Sequence, residues 1–280
     1  MKTPEARRAA AAAFRSMHHG EMLILPNAWD AMSARVFEVA GCKAIATTSA
    51  GVSWSLGFPD GERVPWAEFL GATRRIAHSV SVPLTVDFES GFSATLEELS
   101  ERVRAVIDAG ASGINLEDSR DHRTHALLPQ ETAVQRVAAA RAAADREGIP
   151  LVINARTDSY LRPLSGPPVS FPEVVLRCRA YLAAGADCVY PIGLADLSLI
   201  RQLASQLRAP VNIIGRPGCP PLADLRAAGV ARVSTATGPA LLMAGALMDS
   251  IVKLQETGSC EHFASPFTYP RMQQMFAGEE

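Results

Sequence analysis

"DAGASGINLEDS", residues 108–119, switches period partway along. An amphipathic helix pattern runs into Ala109-Gly110, where glycine can take the left-handed conformation that closes a helix. The short apolar run Gly113–Glu117 then reads as a strand ending in two acids. The same Ala-Gly punctuation recurs in "EVAGCKAI" (38–45), "AAGADCV" (183–189) and "AAGVARV" (227–233). Working outward, the spacing predicts strands at Leu23–Leu25, Ala44–Thr48, Leu84–Asp87, Gly113–Glu117, Leu151–Arg156, Cys188–Pro191, Val211–Ile214 and Arg232–Ser234. Helices are expected near 30–40, 65–79, 95–109, 131–147, 171–184, 195–207, 220–228 and 239–256. Strand–helix units at this rhythm, about eight in 250 residues, suit an α/β fold of the (β/α)8 (TIM) barrel kind. A doubly wound open sheet is the competing arrangement, but no GxGxxG follows the first strand.

No Ser/Gly linker or charge block divides the 280 residues, so a single domain is expected, with a barrel core at about 22–240 and a C-terminal helix and tail at 241–280. The tail "CEHFASPFTYPRMQQMF" carries aromatic residues without a strand of its own, which suits an extension swapped against a neighbouring subunit in a homo-oligomer, a dimer or tetramer. The net charge of −2 offers no basic field for nucleic acid. The longest apolar stretch, "PALLMAGALM", is too short to cross a membrane. The N-terminal "MKTPEARRAAAAAFRSM" lacks an apolar signal core and reads as a short helix. Five scattered cysteines without metal spacing fit a reducing, cytoplasmic setting. Small molecules and copies of the chain itself are the expected partners.

In a barrel of this kind the chemistry gathers at the carboxyl ends of the strands. Those ends are rich in acids. "VDFESGFS" (86–93) carries Asp87 and Glu89, two positions apart and so able to share a strand face. The next strand ends in Glu117 and Asp118, and "INARTD" (153–158) brings Asn154, Arg156 and Asp158. "TTSAG" (47–51), Asn212 and "STATG" (234–238) complete the rim. Converging carboxylates are hard oxygen ligands of the type Mg2+ prefers, and they serve Mn2+ equally. Singly, each acid could instead cap a helix or pair with an arginine. Asp30 reads as a helix N-cap, Cys219 as a packed thiol, and Trp29 and Trp54 as packing.

The segment "LPNAWDAMSARVFEVAGCKAIATTSAGVSWSLGFPDG" (25–61), followed by "VDFESGFS", "GINLEDS" and "INARTDSYL", resembles in order and spacing the isocitrate lyase/phosphoenolpyruvate mutase superfamily. The resemblance implies a Mg2+-assisted enzyme that makes or breaks a C–C or P–C bond beside a 2-oxo acid through an enolate. It implies Asp87, Glu89 and Glu117 as holders of the metal and its waters, with Asp60 in the outer shell. It also implies Ser49 and Ala50 N–H groups, in the turn that includes Gly51, on the substrate carboxylate. Arg156 would clamp that carboxylate from the opposite side; the place of Asn212 at a strand end, read from the pattern alone, adds it as a substrate-binding candidate.

Two departures narrow the chemistry. The lyase branch has a loop cysteine acting as acid or base, where this chain reads "LEDSRDHRTHALLP" (116–129), with His125 in the cysteine's place and Arg123 where the mutase has a lysine. The lyase tyrosine before the carboxylate turn is also missing, and Glu89 replaces an aspartate. His122 and His125 are either a mobile acid/base pair or plain loop residues. Oxaloacetate-type decarboxylation of a small carboxylate substrate is the first expectation, because breaking that bond needs no protein acid. Phosphonomutase chemistry, with Arg123, Thr124 and His125 holding the migrating group, is the next. C–C cleavage of a 2-hydroxy diacid follows, with a non-catalytic carboxylate- or phosphate-binding barrel as the alternative from another class.

Overall fold

Strand and helix alternate as the Ala-Gly punctuation predicts. The computed structural model describes residues 3–119, 124, 126–161 and 169–277. Its helices are α1 (Pro4–Ser16), α2 (Ala31–Val39), α3 (Ser49–Ser55), α4 (Trp66–Ser79), α5 (Leu96–Ala109), α6 (Gln130–Arg146), α7 (Phe171–Ala183), α8 (Leu197–Leu207), α9 (Leu222–Ala227), α10 (Gly238–Thr257) and α11 (Tyr269–Phe276). Its strands are β1 (Leu23–Leu25), β2 (Asn27–Ala28), β3 (Ile45–Thr47), β4 (Leu84–Asp87), β5 (Gly113–Glu117), β6 (Val152–Thr157), β7 (Cys188–Pro191), β8 (Asn212–Ile214) and β9 (Arg232–Ser234). Arg123, His122 and His125 lie outside the described residues.

All the pairings between strands are parallel, in the orders β2-β3-β4-β5-β6-β7 and β1-β9-β8. The two sets meet at both ends. Pro26 alone separates β1 from β2; it has no N–H to give, yet its carbonyl accepts from Ala46 N at 2.9 Å. On the far side Val189 of β7 bridges Val211, just ahead of β8. Pairing therefore passes round the whole set as a TIM barrel, with β1 and β2 counting as one strand.

Alternation sorts the side chains. Val86, Ile114, Leu116 and Ile153 turn outward and join Val103, Val106, Ala140 and Ala144 of the surrounding helices in one apolar cluster. Their neighbours in sequence, Asp87, Asn115, Glu117, Asn154 and Arg156, fall on the opposite, inward file. The base of the barrel is sealed by α1, whose Phe14 packs with Leu23, Leu25, Ala44, Ala46 and Val152. The ring explains Gly113, since a Cβ there would meet Phe14 Cε1 at 2.8 Å. Asp30 caps α2 as expected, accepting from Ser33 N at 2.7 Å.

Two helices were not legible. The "SAGVSWS" segment forms α3, capped by Thr48, although its small residues show no helical apolar period. The tail forms α11, which anchors to α2 through buried Met275 and the Arg35 Nε bond to the Met275 carbonyl at 2.7 Å.

Removing the plug should be costly. Phe14→Ala is expected to destabilise the fold by about 3–5 kcal/mol, lowering the thermal midpoint by several degrees. Urea or thermal unfolding checks this, and a loss under about 1 kcal/mol would mean that α1 does not seal the base.

Candidate active site

The carboxyl ends of β4, β5 and β6 bring the predicted acids together, by a route that differs from simple alternation. β4 stops at Asp87, and Glu89 follows with a left-handed φ of 52°. Its side chain turns back into the protein, where it is 1% exposed and accepts from Glu62 N at 2.9 Å. Glu117 ends β5, in register with Arg156 of β6. Arg156 Nη1 lies 2.9 Å from Glu117 Oε2, while its Nε and Nη2 grip Asp158 at 2.6 and 3.1 Å. The guanidinium fork is thus held by Asp158, and its Nη1 end faces the acid cluster.

Asp87 is oriented on both oxygens. Ser49 N donates to Oδ2 at 3.0 Å and Asn115 Nδ2 to Oδ1 at 3.3 Å. The Ser49 amide, expected on the substrate, is engaged with Asp87 here. Ala50 and Gly51 follow it in the first turn of α3, and Gly51 has a packing reason to be glycine: a Cβ would meet Thr48 Cγ2 at 2.6 Å and Trp29 Cβ at 2.8 Å. Asn212 is not brought to the opening. It begins β8, fully buried, with its amide nitrogen on Ser234 Oγ at 3.1 Å. Asp118 is likewise drawn away, accepting from Tyr181 OH at 2.6 Å and pairing with Arg177 at 3.4 Å, so it ties β5 to α7.

The electrostatics of the cluster are those of crowded acids. Burial, then Asp60, Asp87 and Glu62, push the Glu89 carboxyl up to about 9. Burial likewise drives Glu117 well above the ordinary carboxylate range against the pull of Arg156, with Asp158, Glu89 and Asp87 adding to the push. Asp60 is exposed on its loop yet acts on Glu89 more strongly than any other acid. A divalent cation would relieve this crowding. Among the described residues no three such side chains form a ready-made cage, but Mg2+ commonly takes only one or two carboxylates and keeps several waters. The donor set therefore fits a hard dication.

Glu62 escaped the sequence reading. Beyond its N–H on Glu89, its carboxylate accepts from Ser90 Oγ at 2.7 Å and Phe92 N at 2.9 Å. Arg136 of α6 holds the same loop from outside, through the Ser90 carbonyl and through Ser93 Oγ at 3.0 Å. An acid in a Gly-Glu-Arg loop carries no period or spacing that would mark this contact.

Between pH about 4.5 and 9 the folded, metal-free chain holds a proton on Glu89 that the unfolded chain has lost. Stability contributed in this way is present at the acid end and falls as pH rises. In chelator, the thermal midpoint should drop across that window, and Glu89→Gln should flatten the drop. A midpoint that climbs with pH through the window, or a Glu89→Gln profile parallel to wild type, would contradict the reading.

Residues 14–255 match the family profile of phosphoenolpyruvate phosphomutase. An uncharacterized protein of Mycobacterium tuberculosis is 34% identical over 227 residues, 81% of this chain and 82% of that one. The 2-methylisocitrate lyase of Escherichia coli K12 is 33% identical over 190 residues, 65% of this chain and 61% of the enzyme. Oxaloacetate decarboxylase 2 of Pseudomonas fluorescens is 28% identical over 66% of this chain and 63% of that enzyme. The crystal structure of a candidate lyase/mutase from Burkholderia cenocepacia J2315 superposes with a TM-score of 0.89 at 30% identity, covering 98% of each chain. The parallel barrel with its strand-end acids thus belongs to the phosphoenolpyruvate mutase family, within the isocitrate lyase/phosphoenolpyruvate mutase superfamily of lyases and mutases.

Proposed function

We propose that this chain is a Mg2+- or Mn2+-dependent lyase that breaks a C–C bond one carbon removed from the 2-oxo group of a small dicarboxylate, so that an enolate is left, with oxaloacetate-type decarboxylation foremost. The observation that carries the reading is Arg156, fixed by Asp158 and turned end-on to the buried Glu117. One immobile guanidinium beside an acid cluster provides an anion site next to a cation site.

Asp87, Glu89 and Glu117 hold the cation and its waters, with Asp60 nearby. When bound, the cation supplies a Lewis acid that stabilises the negative charge left on the 2-oxo oxygen as the bond breaks. Arg156 binds a substrate carboxylate through its Nη end, positioned without reorganisation by Asp158. The electron pair of the breaking bond moves into the 2-oxo group as CO2 departs, and a proton is taken up afterwards at the carbon that lost it. Neither step asks for the lyase cysteine that the sequence lacks. Decarboxylation also has a named relative among similar proteins, the Pseudomonas enzyme. Phosphonomutase chemistry is supported by the family profile; it depends on Arg123, Thr124 and His125, of which Thr124 alone is among the described residues.

The proposal includes a cytoplasmic homo-oligomer. α10 runs twenty residues with Ala240 as its buried residue, while Leu241, Leu242, Leu247 and Met248 are all more than half exposed. A helix with an apolar surface of this kind calls for a covering partner, and a second copy supplies one. Among the described residues no helix is long and apolar enough to cross a membrane, and all five cysteines are free.

With Mg2+ or Mn2+, the protein should release pyruvate from oxaloacetate above the metal-only rate, and Glu117→Gln should remove the excess. A mutant rate equal to wild type ends the decarboxylase reading. Arg156→Lys should lower kcat/KM by about a hundredfold, because both the Asp158 grip and the end-on geometry go; near-normal activity would take Arg156 out of the carboxylate role.

A further inference from the structure

Arg232 lies at the centre of the barrel, at 0% exposure, in register with Asn212 on one side and Leu23 on the other. A guanidinium so deep in a protein is costly unless its donors and its charge are answered. Among the described residues no ion pair within contact distance answers it. Nη2 donates to Asn115 Oδ1 at 3.1 Å, whereas Nε and Nη1 have no hydrogen-bond partner among the described residues, and the Phe14 ring lies 6.0 Å below. Beyond burial, three groups act on its charge: Cys188, Tyr190 and Asp87. Burial pushes the Cys188 thiol up to about 12 and the Tyr190 phenol higher still, so both are neutral near pH 7. Asp87 is the acid left to face it, and Asn115, hydrogen-bonded to both, stands between them.

Asn115 is buried, and the orientation of its amide follows from its partners. Arg232 can only donate, so the atom that meets it is Oδ1. Asn154 Nδ2 donates to the same oxygen at 2.8 Å. With Oδ1 committed to two donors, Nδ2 is turned toward Asp87 and donates to Oδ1 of that carboxylate at 3.3 Å. Removing Arg232 leaves Asn154 as the one donor on Asn115 Oδ1 and takes away one of the two buried guanidinium charges, with that of Arg156, that act on Asp87.

We infer that Arg232 is a positioning residue for the cation site: acting through Asn115, it fixes the carboxylate of Asp87 in its ligand-ready orientation. The inference rests on the proposed function above. It assigns to the barrel interior a part in cation binding that the strand ends alone do not supply.

Calorimetry of Mn2+ binding tests it. Arg232→Met should weaken Mn2+ about tenfold, Arg232→Lys should restore affinity to within a few-fold by keeping charge and a donor, and Asn115→Ala should weaken it by a similar factor. Because both act through one chain, Arg232→Met combined with Asn115→Ala should lose little more than either alone. In steady state the loss should appear as a higher metal requirement, with kcat at saturating metal largely kept. Should Arg232→Met not fold, Asn115→Ala and Arg232→Lys carry the test, since a wild-type affinity in Asn115→Ala overturns the inference. Folded Arg232→Met that binds as wild type, or single losses that add, overturns it too while leaving the proposed function standing. Absence of uptake by the wild type removes both.

Discussion

Crowding of carboxyl groups in a protein interior is the constraint on which the rest of this structure depends. Glu89 and Glu117 are buried, and burial together with neighbouring acids, Asp60, Asp87 and Glu62 around Glu89 and Asp158, Glu89 and Asp87 around Glu117, strengthens the hold of both on their protons. Alone, such a group is a net cost to folding. The barrel accommodates it with one guanidinium, a loop clamp, a helix clamp and a polar interior. Arg156 faces Glu117, Glu62 and Arg136 hold the Glu89 loop, and Asn115 orients Asp87. Each of these devices orders the acids, and Arg156 answers part of the Glu117 charge. An ordered, crowded cluster of acids of this kind suits a dication, which would relieve the crowding.

The division of labour follows the layers of the barrel. At the base, Phe14 and its apolar neighbours close the bottom and force glycine at 113. In the middle, Asn115, Asn154 and Arg232 form a connected polar layer. At the top, acids and Arg156 meet the opening. One β-strand, β5, supplies a residue to each layer in turn, Gly113, Asn115 and Glu117, because inward positions recur with a period of two. A single five-residue strand thus encodes base packing, carboxylate orientation and charge.

Much of this was legible in the sequence. The strand bounds at 84–87, 113–117, 188–191 and 232–234 agree with expectation, because Ala-Gly helix ends and short apolar runs are local signals. The acids at 87, 89 and 117 and Arg156 do converge. What stayed hidden depends on contacts distant in sequence. Asp87 and Glu89 share a site because the chain leaves the strand at Phe88 and turns through a left-handed Glu89, not because a strand alternates. Glu62 meets Glu89 across twenty-seven positions. Asn212 looks like a strand-end ligand in one dimension, but its place at the start of β8 puts it in the interior. The α3 helix depends on Thr48 as its cap, and no apolar period announces it.

The central claim is that protons now held by buried acids are displaced by a divalent cation. Titrating Mg2+ or Mn2+ into the protein at pH about 7 in two buffers of different ionisation enthalpy measures uptake and proton release together. Binding that expels a substantial fraction of a proton or more, with the fraction shrinking as pH approaches 9, is the predicted result. Binding with no proton release, or no binding with or without oxalate, would contradict the account.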